Sequence, residues 1–185
     1  MKKIEILIGS PRKKGNTFSM AEILKAHLNE ETSIVNLTFL YDFDIKPCTD
    51  CRACKKGKLE CVLNDDMKKL YPRLETADTI IIGTPIYWFG PTAQTKLLID
   101  RFRPYFVNKK LSGKQIALLL PAGTGAIDCD LTMEMVERVA EALKLNFPGA
   151  VTAKAYDVGD VENDDEVREL ISELAAKLNE TTKDL

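Results

Sequence analysis

Short, nearly unbroken apolar runs recur along this chain with helix-period segments between them, and that alternation constrains the fold more than any other feature. Ile4-Glu5-Ile6-Leu7-Ile8, Thr79-Ile80-Ile81-Ile82 and Ile116-Ala117-Leu118-Leu119-Leu120 have too little polar alternation to lie with one face in water. Such runs are strands covered on both faces, the central strands of a parallel sheet. Ser33-Ile34-Val35-Asn36-Leu37 and Ala150 to Ala155 carry more polar positions and suit its outer strands. The segments Thr17 to Asn29, Asp65 to Glu75, Thr92 to Phe102, Leu131 to Leu145 and Asp164 to Asn179 place apolar residues at helical spacing. In the last, Val167, Leu170, Ile171, Leu174 and Leu178 form one stripe after an acidic start, which suits a helix N-terminus. Five strands alternating with five helices predict an α/β, doubly wound three-layer sandwich, whose ligands bind beyond the carboxyl ends of the strands.

At 185 residues and 45% hydrophobic content the chain suits one buried core, a single domain over residues 1–185. Its 26 Lys and Arg against 28 Asp and Glu leave no surplus positive charge for phosphate backbones, so nucleic acid is not an expected partner. No apolar run reaches the ~18 residues of a membrane span, and Met1-Lys2-Lys3 leads directly into a strand-like segment; a cytoplasmic protein is expected. His27, the single histidine, falls among polar residues late in the first helix and reads as a surface residue. With no second histidine and no carboxylate pair at the strand ends, a hydrolase has no nucleophile and base, and no catalytic side chain is assigned.

The informative segments follow the strands. After the first comes Gly9-Ser10-Pro11-Arg12-Lys13-Lys14-Gly15-Asn16-Thr17, with hydroxyls and cations ahead of a helix N-terminus whose amides can cradle phosphate. It matches neither Gly-x-Gly-x-x-Gly nor the Walker pattern, and the plain alternative is a Pro/Gly turn with Asn16 or Thr17 as N-cap. After the third comes Gly83-Thr84-Pro85-Ile86-Tyr87-Trp88-Phe89-Gly90-Pro91-Thr92, where three consecutive aromatics can stack a flat ring or cover a core edge or subunit contact. A phosphate cradle beside an aromatic shelf is what a mononucleotide with a planar ring system needs.

Four of the five cysteines, Cys48, Cys51, Cys54 and Cys61, crowd an insertion at residues 46–63, while Cys129 stands apart and reads as an ordinary thiol. Cys-x-x-Cys-x-x-Cys can turn three thiolates onto one cuboidal cluster, with a fourth closing the site. Common zinc sites use two Cys-x-x-Cys pairs on a longer connector, and dithiol catalysis leaves two of the four without a role.

Gly9-Ser10-Pro11-Arg12-x-x-Gly15-Asn16-Thr17, Gly83-Thr84-Pro85-Ile86-Tyr87-Trp88 and Lys96-x-x-x-Asp100-Arg101 together resemble the NAD(P)H-dependent FMN reductases of the flavodoxin-like superfamily. The cysteine spacing in turn resembles the iron-sulfur flavoproteins within it. The resemblance implies a five-stranded parallel sheet of order 2-1-3-4-5. It implies FMN held by Ser10, Arg12, Gly15, Asn16 and Thr17 at the phosphate and by Pro85, Ile86, Tyr87, Trp88, Phe89 and Gly90 at the ring. Ala122, Gly123 and Thr124 form the third flavin loop; a plain helix-entry turn is the alternative there. A 4Fe-4S cluster on Cys48, Cys51, Cys54 and Cys61 follows by the same likeness. The partners so implied are NAD(P)H or a ferredoxin-like donor and a small-molecule or protein acceptor. The rival readings are a clusterless NAD(P)H-dependent FMN or quinone reductase with structural or zinc-bound cysteines, and a non-catalytic zinc-stapled module. The aromatics of 87–89 and 102–106 exceed what one small domain can bury against one flavin, so a homodimer or homotetramer is expected.

Overall fold

A computed structural model describes residues 1–179. The chain runs β1 (Lys2–Ile8), α1 (Asn16–His27), β2 (Ser33–Phe39), α2 (Met67–Thr76), β3 (Thr79–Gly83), a hairpin of β4 (Ile86–Tyr87) and β5 (Gly90–Pro91), α3 (Ala93–Asp100), α4 (Arg103–Asn108), β6 (Gln115–Ala122), α5 (Asp130–Leu143), β7 (Asn146–Lys154) and α6 (Asp165–Asn179). The main sheet is parallel throughout, in the order β2-β1-β3-β6-β7. Counting main-sheet strands alone, this is the expected 2-1-3-4-5. No helix among the described residues is long and apolar enough to cross a membrane.

Period-two alternation divides the core into two layers. Ile4, Ile6, Ile8, Ile81, Ala117 and Leu119 pack with Met20 and Leu24 of α1 and Val167, Ile171 and Leu174 of α6. Leu7, Ile80, Ile82, Ile116, Leu118 and Leu120 face the other way, toward Leu70, Leu98, Phe102 and Val136. Because both faces are covered, β3 and β6 are buried along their whole length, the physical origin of their continuous apolar runs.

Departures from the sequence reading have local causes. β7 begins at Asn146, four residues before the expected Ala150, and carries a register shift opposite Gln115 and Ala117, with Gly149 at φ 137°. A proline and a left-handed glycine break the strand pattern there, and both are tolerable because β7 is an edge strand. The helix expected over Thr92 to Phe102 is two helices. Thr92 caps α3, accepting the Thr95 amide on its side chain, and Pro104 begins a new turn in α4. In that second helix Tyr105 is buried and Phe106 exposed.

Candidate functional site

β1, β3 and β6 end side by side, and the loops leaving them are locked to one another before any ligand is considered. The Gly9 amide donates to the Gly83 carbonyl at 2.7 Å, and the Thr84 amide to the Leu119 carbonyl at 3.0 Å. Thr92 Oγ1 donates to the Gly9 carbonyl at 2.7 Å and lies 3.0 Å from Thr95 Oγ1. A Cβ at Gly9 would fall 1.8 Å from Thr95 Oγ1, so only glycine allows the first loop this close to α3.

A cleft of about 290 Å³ opens above these strand ends. The first loop contributes Ser10, Arg12, Gly15, Asn16 and Thr17; the third, Pro85, Ile86 and Tyr87; the segment leaving β6, Pro121, Ala122 and Gly123; and the segment leaving β7, Ala155 and Tyr156. Ser10 Oγ accepts the Arg12 amide at 3.2 Å, which leaves the hydroxyl hydrogen to donate outward. Lys13 is engaged with Asp42 and lies over the Phe39 ring at 4.1 Å, so among the described residues Arg12 is the only cation on the cleft wall. With the α1 amides this makes an anion site. Among the described residues no Asp, Glu or His lines the cleft.

Ten of the fourteen residues expected at the flavin therefore share one wall, counting Ser10, Arg12, Gly15, Asn16, Thr17, Pro85, Ile86, Tyr87, Ala122 and Gly123. Trp88, Phe89, Gly90 and Thr124 stand outside it. Trp88 and Phe89 form the tip of the β4–β5 hairpin with φ of 50° and 64°, and Trp88 is 94% exposed. Thr124 turns to Asp128. Ala155 and Tyr156 join the cleft with no motif to announce them, and Pro121, at the head of the third flavin loop, lies inside β6. Tyr156 packs against the third loop, where a Cβ on Gly123 would meet its ring at 3.3 Å, a contact no local sequence pattern encodes.

Cys48, Cys51, Cys54 and Cys61 line one cavity between the insertion and α4, and none is in a disulfide. Left-handed residues turn the loop inward: Asp50 at φ 50°, Arg52 at 59° and Leu59 at 57°. It is fastened to α4 by Arg103 Nη2 to Asp50 Oδ1 at 2.8 Å and by Asn108 Nδ2 donating to the Leu59 carbonyl at 3.1 Å. Burial pushes the Cys54 thiol up, and the neighbouring Cys61 adds to that. Behind the cysteines lies an ion pair that sequence reading missed. Arg101, 1% exposed, is paired to the buried Asp65 and donates from Nη2 to Cys61 Sγ at 3.3 Å. Burial works against the Asp65 charge, but the Arg101 hydrogen bonds and the Lys46 amide outweigh it and hold the carboxyl below its ordinary value. Arg101 Nε is buried without a partner, an omission that costs about 1–3 kcal/mol for a buried polar group.

These residues fit a sulfur-ligated cluster by donor chemistry: four unpaired cysteines on one cavity, cations behind them and an unused N–H donor. The cavity they line is small, and it meets solvent where Cys51 is exposed. Among the described residues no group of three His, Cys, Asp or Glu converges as a single metal ion would require.

An iron-sulfur flavoprotein of Methanocaldococcus jannaschii is 38% identical over 116 residues, 60% of this chain and 58% of that protein. One from Archaeoglobus fulgidus is 37% identical over 126 residues, 68% of this chain and 56% of that protein. The chain thus matches a little over half the length of these relatives. In fold it is similar to a Trp repressor binding protein of Bacillus subtilis (TM-score 0.70, 22% identity, covering 92% of this chain and 96% of the other). It is similar also to an NAD(P)H:quinone oxidoreductase of Methanothermobacter marburgensis (TM-score 0.60, 19% identity, covering 96% and 98%). Residues 2–153 match the family described as NADPH-dependent FMN reductase, and the chain belongs to that family.

Proposed function

We propose that this protein is an FMN-dependent oxidoreductase that takes electrons from NAD(P)H, or from a ferredoxin-like protein, and carries a 4Fe-4S cluster on Cys48, Cys51, Cys54 and Cys61. The observation that carries the reading is the pairing, in one chain, of an anion-binding cleft at three strand ends with four unpaired cysteines on a second cavity. The names of the iron-sulfur flavoproteins it resembles support the cluster. When bound, FMN links two-electron to one-electron chemistry and a cluster passes single electrons.

The chain's own residues bind, orient and insulate. Ser10, Arg12, Thr17 and the α1 amides hold the phosphate. Ile86, Tyr87, Gly123 and Tyr156, on the same cleft, would border the ring. Two contacts couple the sites mechanically: Lys13 of the phosphate loop grips Asp42 ahead of the insertion, and Gln94 Nε2 of α3 donates to the Leu40 and Phe43 carbonyls at 2.9 and 2.8 Å. Trp88, Phe89 and Phe106, all exposed, are surfaces for self-association as a homodimer or homotetramer.

Protein purified without oxygen tests the reading. FMN released on denaturation, with about four iron and four sulfide per chain and a broad absorption near 400 nm beneath the flavin bands, is the expected result. Flavin without iron selects the clusterless FMN or quinone reductase instead. Zinc without flavin overturns the proposal in favour of a non-catalytic module.

A further inference from the structure

We propose that Arg101 is a positioning residue of the cysteine site, fixing Cys61 and reserving its Nε–H for a sulfur of the cluster, and that it thereby raises the cluster's reduction potential. The inference rests on the cluster reading above and says what this chain does to that group.

A guanidinium has five N–H donors in a fixed plane. Nη1 spends two, on Asp65 Oδ2 and on the Lys46 carbonyl at 2.8 Å. Nη2 spends two, on Asp65 Oδ1 at 3.2 Å and on Cys61 Sγ at 3.3 Å. Asp65 spans the end of the fork, taking one hydrogen from each Nη. The Nη2 hydrogen given to Cys61 therefore leaves by the edge that Nη2 shares with Nε. The fifth donor points off that same edge, toward the sulfur side, and it is the one without a partner. Orphaned buried N–H groups are rare in folded proteins, and this one belongs to a wall of the cavity that all four cysteines line.

A purely structural arginine does not account for this arrangement. Clamping Asp65 and the Lys46 carbonyl uses the end of the fork and the outer Nη1 hydrogen, and neither task needs the side edge to face a cysteine. Since Asp65 neutralises the guanidinium charge, the influence on a bound cluster comes from the direction of the two side-edge donors. Hydrogen bonds to cluster sulfurs favour the reduced, more negative state. Lysine keeps the charge and cannot reproduce that edge.

Wild type, Arg101→Lys and Arg101→Gln are reconstituted anaerobically with iron and sulfide, iron and labile sulfide are counted, and the cluster is titrated optically against redox mediators. The expected result is variants that load iron and FMN while their equilibrium for one-electron reduction falls at least tenfold, about 59 mV. Loaded variants with the wild-type potential overturn this inference alone. A wild type that takes up no iron overturns the cluster reading and this inference with it. If the variants do not fold, the side edge is read with Arg101 intact. Chain labelled with ¹⁵N at arginine Nε, with Arg52→Lys and Arg103→Lys removing the other guanidiniums of the wall, is reduced and examined by electron-nuclear double resonance. A ¹⁵N coupling to the cluster supports the assignment, and no coupling overturns it.

Discussion

Asn16 and Asp157, 141 positions apart, are joined side chain to backbone: Asn16 Nδ2 donates to the Asp157 carbonyl at 2.7 Å, while its Oδ1 accepts the Gly159 amide at 3.1 Å. Both ends of the amide are thus used to staple the phosphate loop to the turn that carries Tyr156. Asn16→Ala removes both bonds. At about 1 kcal/mol each, stability should fall by about 1–2 kcal/mol in urea denaturation. FMN affinity should fall severalfold because the Tyr156 turn loses its anchor. Weaker flavin binding at unchanged stability would instead assign the side chain to the phosphate.

Among the described residues Arg12 is the cleft's one cation, and Thr17 is its buried hydroxyl at the helix start. A charge-assisted hydrogen bond contributes about 1.5–3 kcal/mol, so Arg12→Ala should weaken FMN at least about tenfold. Thr17→Ala should weaken it less, and Lys14→Ala not at all. Flavin fluorescence quenching gives the three constants; wild-type affinity in Arg12→Ala refutes the phosphate assignment.

The cysteines should divide cleanly by environment. Cys51→Ser, on the cluster loop, should lose iron and keep FMN. Cys129→Ser should keep both. Cys129 is fully buried against the Leu120 and Gly125 carbonyls, its thiol pushed up to about 11 by burial with Asp128 and Asp130 adding. Iron and flavin analysis of the two purified variants decides, and equal iron in Cys51→Ser and wild type refutes the ligand assignment.

What the sequence disclosed follows from how each feature is encoded. Central strands such as Thr79–Gly83 are legible because burial on both faces leaves a continuous aliphatic run, and loop 9–17 because glycines, hydroxyls and cations sit next to one another. Arg101 was quoted only as part of a motif, since nothing local distinguishes a buried arginine from a surface one; its partners Asp65, Lys46 and Cys61 lie 36 to 55 positions away. Tyr156 was invisible for the same reason. Trp88 and Phe89 stand apart from Tyr87 in the cleft lining because they form the two-residue turn of the β4–β5 hairpin, which three adjacent aromatics in a sequence do not announce.

The Asp65–Arg101 pair gives a prediction in both stability and pH. Asp65→Asn leaves a buried guanidinium without its counter-charge and should cost about 3–5 kcal/mol. Because the native carboxyl is held below its unfolded value of about 3.9, its contribution is present above that pH and lost as pH falls through the lower native value. The gap between wild type and Asp65→Asn should stay constant from pH 7 to about pH 5 and narrow below pH 4. A gap that widens in acid would refute the sign.

Trp88 and Phe89 hold left-handed backbone at both central positions of a hairpin, where Asn-Gly is favoured and bulky residues cost about 1–3 kcal/mol each. Trp88→Asn with Phe89→Gly should relieve at least about 2 kcal/mol and raise Tm by at least about 4–8 °C. Self-association should be lost with it, read by light scattering against the 20.7 kDa chain. A more stable variant that still associates would place the contact elsewhere.

The insertion leaves and rejoins the fold at a clasp. The Asp44 amide donates to Asp66 Oδ2 at 2.9 Å, the Asp66 amide returns a bond to the Asp44 carbonyl at 3.1 Å, and the Lys46 amide reaches Asp65 Oδ2 at 3.0 Å. The two ends of the segment are therefore side by side whether or not anything is held between them. A short turn replacing only the residues between Lys46 and Asp65 would keep the clasp and the Asp65–Arg101 pair, so the cysteine-bearing segment is a cassette that can be reshaped or exchanged without moving the strand ends. The same geometry makes this chain a practical host for grafting other metal-binding loops onto a flavin scaffold.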